Sequence, residues 1–354
     1  MYDAIVIGAR CAGAPTAMLL ARAGYRVLLL DKARFPSDKV STHYIQPEGV
    51  SMLDKWGLLD AVAATNVPAI STFRVFAGDT PVMQPPMDSV AYCPRRYLLD
   101  QILVDAAVAA GVEFRDAFVV DEVTMDHGAV TGLVGHARGE GQCRESARYV
   151  IGAEGHRSLV ADAVNAPKYH EREALTGGYY SYWSGVGLIG AEVHVCDGGG
   201  VLAFPTNDGL ACIAAGRPAA EFAAYRADIE ATFFSVLDGA PEFAARVRAG
   251  KREERWIGTA DVPNFFRKPW GDGWALVGDA GYMKDPTTGL GIADAFRDAA
   301  LLARALDDTL SGRTPAETAL AAYQAKRDAA ALPMYELTLK MASGELAPPS
   351  VPAT

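Results

Sequence analysis

Four glycine-bearing stretches of this 354-residue chain match or approach patterns that suit a phosphorylated ligand, three of them with a carboxylate or an arginine beside the glycine. The first is IVIGARCAGAPTAMLLARAGYRVLLLD, from Ile5 to Asp31. Gly8 and Gly13 lie between an apolar strand, Ala4–Ile7, and a helix that opens at Gly13. Gly8 supplies the tight turn, Gly13 lets the helix pack on the sheet, and Asp31, closing the next strand, can accept hydrogen bonds from ribose hydroxyls. Arg10 stands where a second glycine would let the backbone meet phosphate most closely; its guanidinium either lies over the phosphates or points to solvent. Lys32 adds a cation directly after Asp31. The second stretch, Gly185-Val186-Gly187-Leu188-Ile189-Gly190, matches G-x-G-x-x-G in full. Strand-like residues flank it on both sides, so no helix N-terminus faces a pyrophosphate and it reads as a hairpin or bulge. The third, Trp274 to Gly281, puts Asp279 just past a buried strand end, where α/β sheets bind ligands. The fourth, Asp285 to Asp294, feeds the turn Gly289-Leu290-Gly291 into a long helix.

Composition narrows what these stretches serve. A net charge of −10, with 43 carboxylates and no compensating basic patch, argues against nucleic acid as a partner. No apolar run reaches membrane-spanning length, and the start, with no basic region before its strand, reads as mature cytoplasmic protein. The five cysteines form no C-x-x-C pair and the six histidines are scattered, so neither a disulfide framework nor a metal site is expected. H-x-x-x-H and G-x-S-x-G are both absent, which removes the usual marks of metal hydrolysis and serine acyl transfer. Something other than side chains must carry any reaction.

The elements that position these residues follow from periodicity. Ala4–Ile7, Gly13–Ala23 and Val27–Leu30 form a βαβ unit. A loop from Pro36 to Pro47 precedes a helix over Glu48–Trp56, and residues 69–93 read as antiparallel strands. Tyr97–Ala110 is helical, and short strands continue to Ile151. From about 175 to 261, aromatic strands (Tyr179–Trp183, Val193–Cys196, Val201–Phe204, Ala211–Ala214) dominate around one helix at 219–236. A buried strand at Trp274–Val277, a helix from Gly289 to Asp307, another from Pro315 to about Leu332 and a frayed tail complete the chain.

In this order and over Asp3 to about Leu332, the motifs resemble the FAD-dependent monooxygenase superfamily of p-hydroxybenzoate hydroxylase type (group A flavoprotein monooxygenases), which includes geranylgeranyl reductases and flavin halogenases. The resemblance implies an α/β fold: a discontinuous Rossmann-like FAD-binding domain (1–70, 92–170, 262–310) with a second, antiparallel β-sheet substrate domain (71–91, 171–261). C-terminal helices at 311–343 and a disordered tail at 344–354 would follow. It further implies that Gly8, Arg10, Gly13, Asp31 and Lys32 hold the ADP end of FAD. Arg96, opening an Arg-x-x-Leu helix start, would contact phosphate or ribityl, with Arg95 as the alternative register. Asp279 would bond the ribityl chain, Pro286 would line the flavin, and Gly289, Leu290 and Gly291 would aim backbone N–H groups at its pyrimidine edge, where a helix N-terminus favours the negative charge of reduced flavin. Two positions depart from the pattern. Glu154, in Ala153-Glu154-Gly155, replaces the family aspartate and moves the carboxylate by ~1.5 Å, which bears on pyridine nucleotide use. Asp294 stands where many relatives have asparagine.

The activity implied is that of a hydroxylase or epoxidase, in which NAD(P)H reduces FAD and O₂ adds to give a flavin hydroperoxide. Its acceptor would be a hydrophobic or aromatic small molecule held against Tyr180, Tyr182, Trp183, Phe204 and Pro205, residues that core packing alone would equally explain. His43 faces the flavin or is an ordinary loop histidine. A second reading is a reductase or dehydrogenase of a C=C or C–C bond, though Ser41-Thr42-His43 replaces the cysteine-glycine segment usual in prenyl reductases. A third is a flavin-loaded cyclase or binding protein. Halogenation is disfavoured because W-x-W-x-I-P is absent. The substrate, the choice of NADH or NADPH and the oligomeric state are not legible in the sequence.

Overall fold

The computed structural model describes residues 1–346, so the tail beyond Leu346 lies outside the described residues. A mainly parallel sheet runs in the order Trp270–Gly271, Trp274–Leu276, Cys143–Gly152, Tyr2–Ile7, Val27–Leu30, Glu113–Arg115. The inner pairings are all parallel. Strand pleating explains its apolar sequences, because successive side chains leave on opposite faces and both faces are covered. Ala4, Val6, Val27 and Leu29 enter one core with the helices Gly13–Arg22, Arg96–Ala109 and Gly291–Leu310. Ile5, Ile7, Leu28 and Leu30 enter another, under the antiparallel strands Phe118–Asp126 and Ala129–Ala137.

A second sheet is ordered Lys251–Arg252, Thr176–Ser184, Ala211–Pro218, Gly199–Pro205, Ala191–Cys196, Phe73–Ala77, Thr80–Met83. It is antiparallel except where Ala191–Cys196 meets Phe73–Ala77. Helices Phe222–Ala227, Ile229–Leu237 and Pro241–Ala249 cover one face through Phe233, Val236, Phe243 and Val247. A small third sheet, Tyr282–Met283, Asn264–Arg267 and Lys168–Arg172, packs with Tyr335 of the last helix. Among the described residues no helix is long and apolar enough to cross a membrane.

Several elements differ from the periodicity reading. The single helix expected at 219–236 is divided at Asp228, whose carboxylate caps the second piece by accepting from the Ala231 N–H at 3.1 Å. Residues 69–93 give only two strands, after which a coil returns to the body through isolated bridges at Ile70–Ala91 and Ile45–Tyr92. The last helix spans Ala316–Ala342 and continues through Pro333, where the sequence signals a stop. Burial of Ala331, Tyr335 and Thr338 anchors it beyond the proline.

Candidate functional site

The carboxyl ends of four parallel strands meet along one edge of the first sheet and carry Gly8, Asp31, Glu154 and Asp279. Two glycines there are sterically required. Gly8 has φ 102°, and a Cβ on it would lie 2.5 Å from the Ala153 carbonyl oxygen; a Cβ on Gly13 would lie 1.8 Å from the Gly8 carbonyl oxygen. The turn is therefore as tight as a backbone can make it, and the helix it opens has no side-chain N-cap. The Ala14 N–H already donates to the Arg10 carbonyl at 3.0 Å and Pro15 has no N–H, so the Gly13 N–H is the one this helix start leaves to a ligand or water. Asp31 braces the turn, accepting from the N–H groups of Ala9 (2.9 Å) and Ala33 (2.8 Å). Lys32 is exposed beside it.

Arg10 does not lie over the turn. Its guanidinium donates to Asp100 at 2.6 Å and to Ser37 at both the carbonyl (3.2 Å) and hydroxyl (2.8 Å) oxygens, and packs on the Phe35 ring. Asp100, with no exposed surface, also accepts two bonds from Arg96, each 3.1 Å. The two neighbouring arginines thus part company. Arg96 stays with the glycine turn, whereas Arg95 pairs with Glu254 (2.7 Å) and Asp38 (3.2 Å) and lies 3.7 Å over the Tyr182 ring.

Asp279 follows Gly278 at the end of Trp274–Leu276. Its carboxyl is open to solvent yet walled by protein, as at the floor of a cleft. Burial raises its pKa, while His156, Arg96, Lys284 and Lys39 oppose the rise. Lys39 escaped the sequence reading because nothing in the local pattern of its loop marks it. Desolvation lowers its pKa, as do the charges of Arg10, Lys32 and Arg96, and Asp279 acts in the opposite sense.

Glu154 is held by the Val160 N–H (3.2 Å) through one oxygen, while the other is buried without a partner. Burial pushes the carboxyl up to about 7. A carboxyl whose folded pKa lies above its ordinary 4.5 binds its proton more tightly in the folded state. Its stabilisation is therefore complete below about 4.5 and is lost as pH rises through about 7. Glu154→Gln is expected to flatten that limb of a stability-against-pH curve measured by urea unfolding; an unchanged limb would assign it to another group.

At the far end, Asp285 is buried and accepts from the Thr176 hydroxyl (2.7 Å) and N–H (3.2 Å) and from the Thr287 N–H (3.0 Å). It opens the short turn Pro286–Thr288, in which Pro286 is exposed. Gly289 follows at φ 63° beside the Tyr44 ring, and Gln46 donates to the Thr288 carbonyl at 3.2 Å. Leu290 precedes the helix, and Gly291 opens it with nothing within 4 Å of its would-be Cβ. Asp294 does not project freely from this end. It pairs with Lys284 and, at 2.6 Å, with Arg297. The loop from Ser37 to Tyr44 consequently touches the cleft at both ends, near Arg10 and near Gly289.

His43 sits in that loop at φ 63°, without exposed surface, and its Nε2 is 2.7 Å from the Tyr182 hydroxyl. Burial, with Arg96 also opposing charge, pushes its imidazole down to about 3. Its Nδ1 and the Tyr180 hydroxyl are buried without partners. Tyr182→Phe would leave Nε2 unpaired as well and is expected to cost about 1–3 kcal/mol in urea unfolding. An unchanged midpoint would show that the pair contributes nothing. Tyr180 and Tyr182 share the loop-facing side of the sheet with Cys212 of the neighbouring strand, and Phe204 stacks on Tyr44 at 4.7 Å. Trp183 corrects the expected pocket wall. One residue out of phase, it faces the covering helices and stacks on Phe233 at 6.0 Å. Pro205 ends its strand opposite Ala211. The Gly185–Gly190 stretch connects two strands and opens no helix. A cavity of about 130 Å³ lies apart from the glycine turns, between Arg74, Glu192, His194 and Arg246, where both arginines already bind the buried Glu192.

A glycine turn too tight for any side chain, a braced strand-end carboxylate, a group of cations around Asp279 and an open helix start at Gly291 fit a dinucleotide that carries a charged ring. The sequence profile of the family described as "FAD binding domain" matches residues 1–215 and 230–338. The chain belongs to the FAD binding domain family. Its fellow proteins include the digeranylgeranylglycerophospholipid reductase of Methanocella arvoryzae, 26% identical over 341 residues covering 92% of this chain and 82% of the relative. The rifampicin monooxygenase of Streptomyces venezuelae is 28% identical over 371 aligned positions, covering 99% and 74%. Among solved structures, the myxobacterial chondrochloren halogenase CndH superposes with a TM-score of 0.88 at 22% identity, over 95% of this chain and 81% of that one. PqsL of Pseudomonas aeruginosa, a probable FAD-dependent monooxygenase, gives 0.82 at 22%, over 97% and 96%. These superpositions establish the α/β, p-hydroxybenzoate hydroxylase-like fold, and the family establishes an FAD-dependent enzyme.

Proposed function

We propose that this FAD binding domain protein is a monooxygenase that hydroxylates or epoxidises an apolar, aromatic small molecule at the expense of NAD(P)H and O₂. The balance is substrate–H, O₂, NAD(P)H and H⁺ to substrate–OH, NAD(P)⁺ and water, or the corresponding epoxide. One observation carries the reading: the Gly289 turn, where the resemblance puts the ring of FAD, abuts Tyr44, which stacks on Phe204 of the second sheet. Bound there, FAD supplies the redox and oxygen chemistry. The chain's part is to bind, orient and keep water out. Tyr44, Phe204, Tyr180 and Tyr182 present buried aromatic surface on that side; His43 beside them is held neutral, and the Arg95 guanidinium over the Tyr182 ring is paired with Glu254 and Asp38. Exclusion of water protects reactive oxygen intermediates from wasteful breakdown. The N–H groups opening the Gly291 helix favour negative charge on a bound ring.

The test is NAD(P)H oxidation coupled to O₂ uptake and to product across aromatic polyketides, indoles and terpenes. Absence of O₂-coupled product with all of them would count against the reading. A reductase is the second reading, favoured by 26% identity to the Methanocella reductase over 92% of the chain. Turnover under anaerobic conditions would establish it, since a monooxygenase stops without O₂.

A further inference from the structure

We propose that Lys284 is the counter-charge of the cleft's far end: by answering the Asp294 carboxylate it sets the reduction potential of FAD bound at the Gly289–Gly291 turn. The proposal rests on that turn's receiving the ring of FAD. Asp294 is the fourth residue of the helix Gly291–Leu310, so its backbone lies ~4.5 Å along the axis from Gly291. A helix start carries a positive charge of roughly half a unit, which favours the negative charge a ring keeps on taking up two electrons and one proton. A bare carboxylate one turn inside would more than cancel that help. Here the carboxylate is not bare. Lys284 Nζ pairs with one Asp294 oxygen and donates to the Tyr282 hydroxyl at 2.8 Å, while Arg297 holds the other Asp294 oxygen at 2.6 Å.

The two cations do not share this work equally. Arg297 also donates through Nε to Asp298 at 2.8 Å, with Nη2 at 2.7 Å from the same oxygen, so its charge is divided between two carboxylates. Lys284 has no second carboxylate partner among the described residues. Two cations and two anions balance, and Lys284 is the member committed to Asp294 alone. Its side chain is only 5% exposed, so water and salt screen the pair weakly. The contact is also a clasp, because Lys284 and Asp294 close residues 285–293 into a loop that contains Gly289, Leu290 and Gly291. The two roles predict different results. Losing a clasp disturbs the turn in the same way whichever end is removed. Losing a charge acts with a sign: without Lys284 an unbalanced negative charge remains beside the turn, and without Asp294 a positive one.

The experiment is the midpoint potential of bound FAD, read from flavin absorbance against reference dyes, for wild type, Lys284→Met, Lys284→Arg, Asp294→Asn and the double variant Lys284→Met/Asp294→Asn. Lys284→Met is expected to weaken the protein's preference for reduced over oxidised flavin about tenfold, a fall of about 30 mV for a two-electron couple. Asp294→Asn is expected to raise the potential by a similar amount. The double variant, which removes both charges, and Lys284→Arg, which keeps the cation, should return close to the wild-type value. Single variants that shift the potential in the same direction would make the pair a clasp only and overturn the proposal. So would a Lys284→Met protein whose FAD keeps its wild-type potential. Should Lys284→Met fail to fold by circular dichroism, the rise in Asp294→Asn and its reversal in the double variant decide the matter. FAD that binds with its potential unmoved in every variant would overturn this proposal alone. Wild-type protein that takes up no FAD at any concentration would sink the cofactor reading itself, a distinguishable failure.

Discussion

Asp279→Ala protein will leave purification nearly colourless, with FAD affinity lower by roughly tenfold to a hundredfold, the ~1.5–3 kcal/mol of a hydrogen bond to a charged group. The expectation rests on where the carboxylate stands. It lies past the end of a fully buried strand, open to the cleft, with His156, Arg96, Lys284 and Lys39 directing their charge toward it. Removing it takes away a proposed ribityl acceptor and also the anion that relieves crowding among those cations. The two losses act on different parts of FAD, so Asp279→Asn, which keeps an acceptor and loses the charge, should fall between wild type and alanine. Flavin absorbance per mole of purified protein, before and after added FAD, reads the effect. Full colour in Asp279→Ala would refute this placement of the cofactor.

Gly13→Ala is expected to do more damage than its single methyl suggests. The new Cβ would lie 1.8 Å from the Gly8 carbonyl oxygen and 3.0 Å from the Ala153 side chain. The first contact is with backbone, which no rotamer change can relieve, so the turn or the helix must move. A loss of more than ~3 kcal/mol in urea unfolding is expected, in the range of mutations that overpack a core. FAD binding should disappear with it even at temperatures where the variant remains folded. At Gly291, by contrast, a methyl meets nothing within 4 Å. Gly291→Ala should therefore keep wild-type stability, and any loss of FAD affinity there would report contact with the ligand itself.

The contrast between these glycines shows how much was legible in the sequence. Gly8, Gly13 and Asp31 are separated by one strand and one helix, so their proximity follows from local geometry. The same holds for Trp274–Leu276 and Asp279, and for the 185–190 stretch, whose strand-like flanks rule out a helix start. Contacts between remote segments were not legible. Whether Arg95 or Arg96 turns toward the glycines depends on which of two helix faces meets the sheet. Trp183 was placed in the pocket wall because a strand of five aromatic-rich residues does not announce which parity faces the loop. The sequence leaves Arg10 between phosphate and solvent, and gives no sign of its bond to Asp100, 90 residues away. Lys39 has no local pattern to mark it, and only the fold lets its charge and that of Asp279 act on each other. The last helix outran its expected end since tertiary burial of Tyr335 outweighs the missing N–H of Pro333.

Asp285 has a consequence for how the molecule can breathe. Its buried carboxylate fastens Thr176, at the root of the second sheet, to the turn that leads into Gly289, and its own N–H donates to Asn264 at 2.7 Å. Prising the sheet from that turn would strand a carboxylate away from water, so the seam behaves as a rivet. The loop from Ser37 to Tyr44 is clasped instead by side chains at Arg10, Arg95 and Tyr182, each of which can let go singly. A strain that opens the cleft is therefore expected to release these eight residues before the Asp285 seam, a difference that hydrogen exchange of their amides would read.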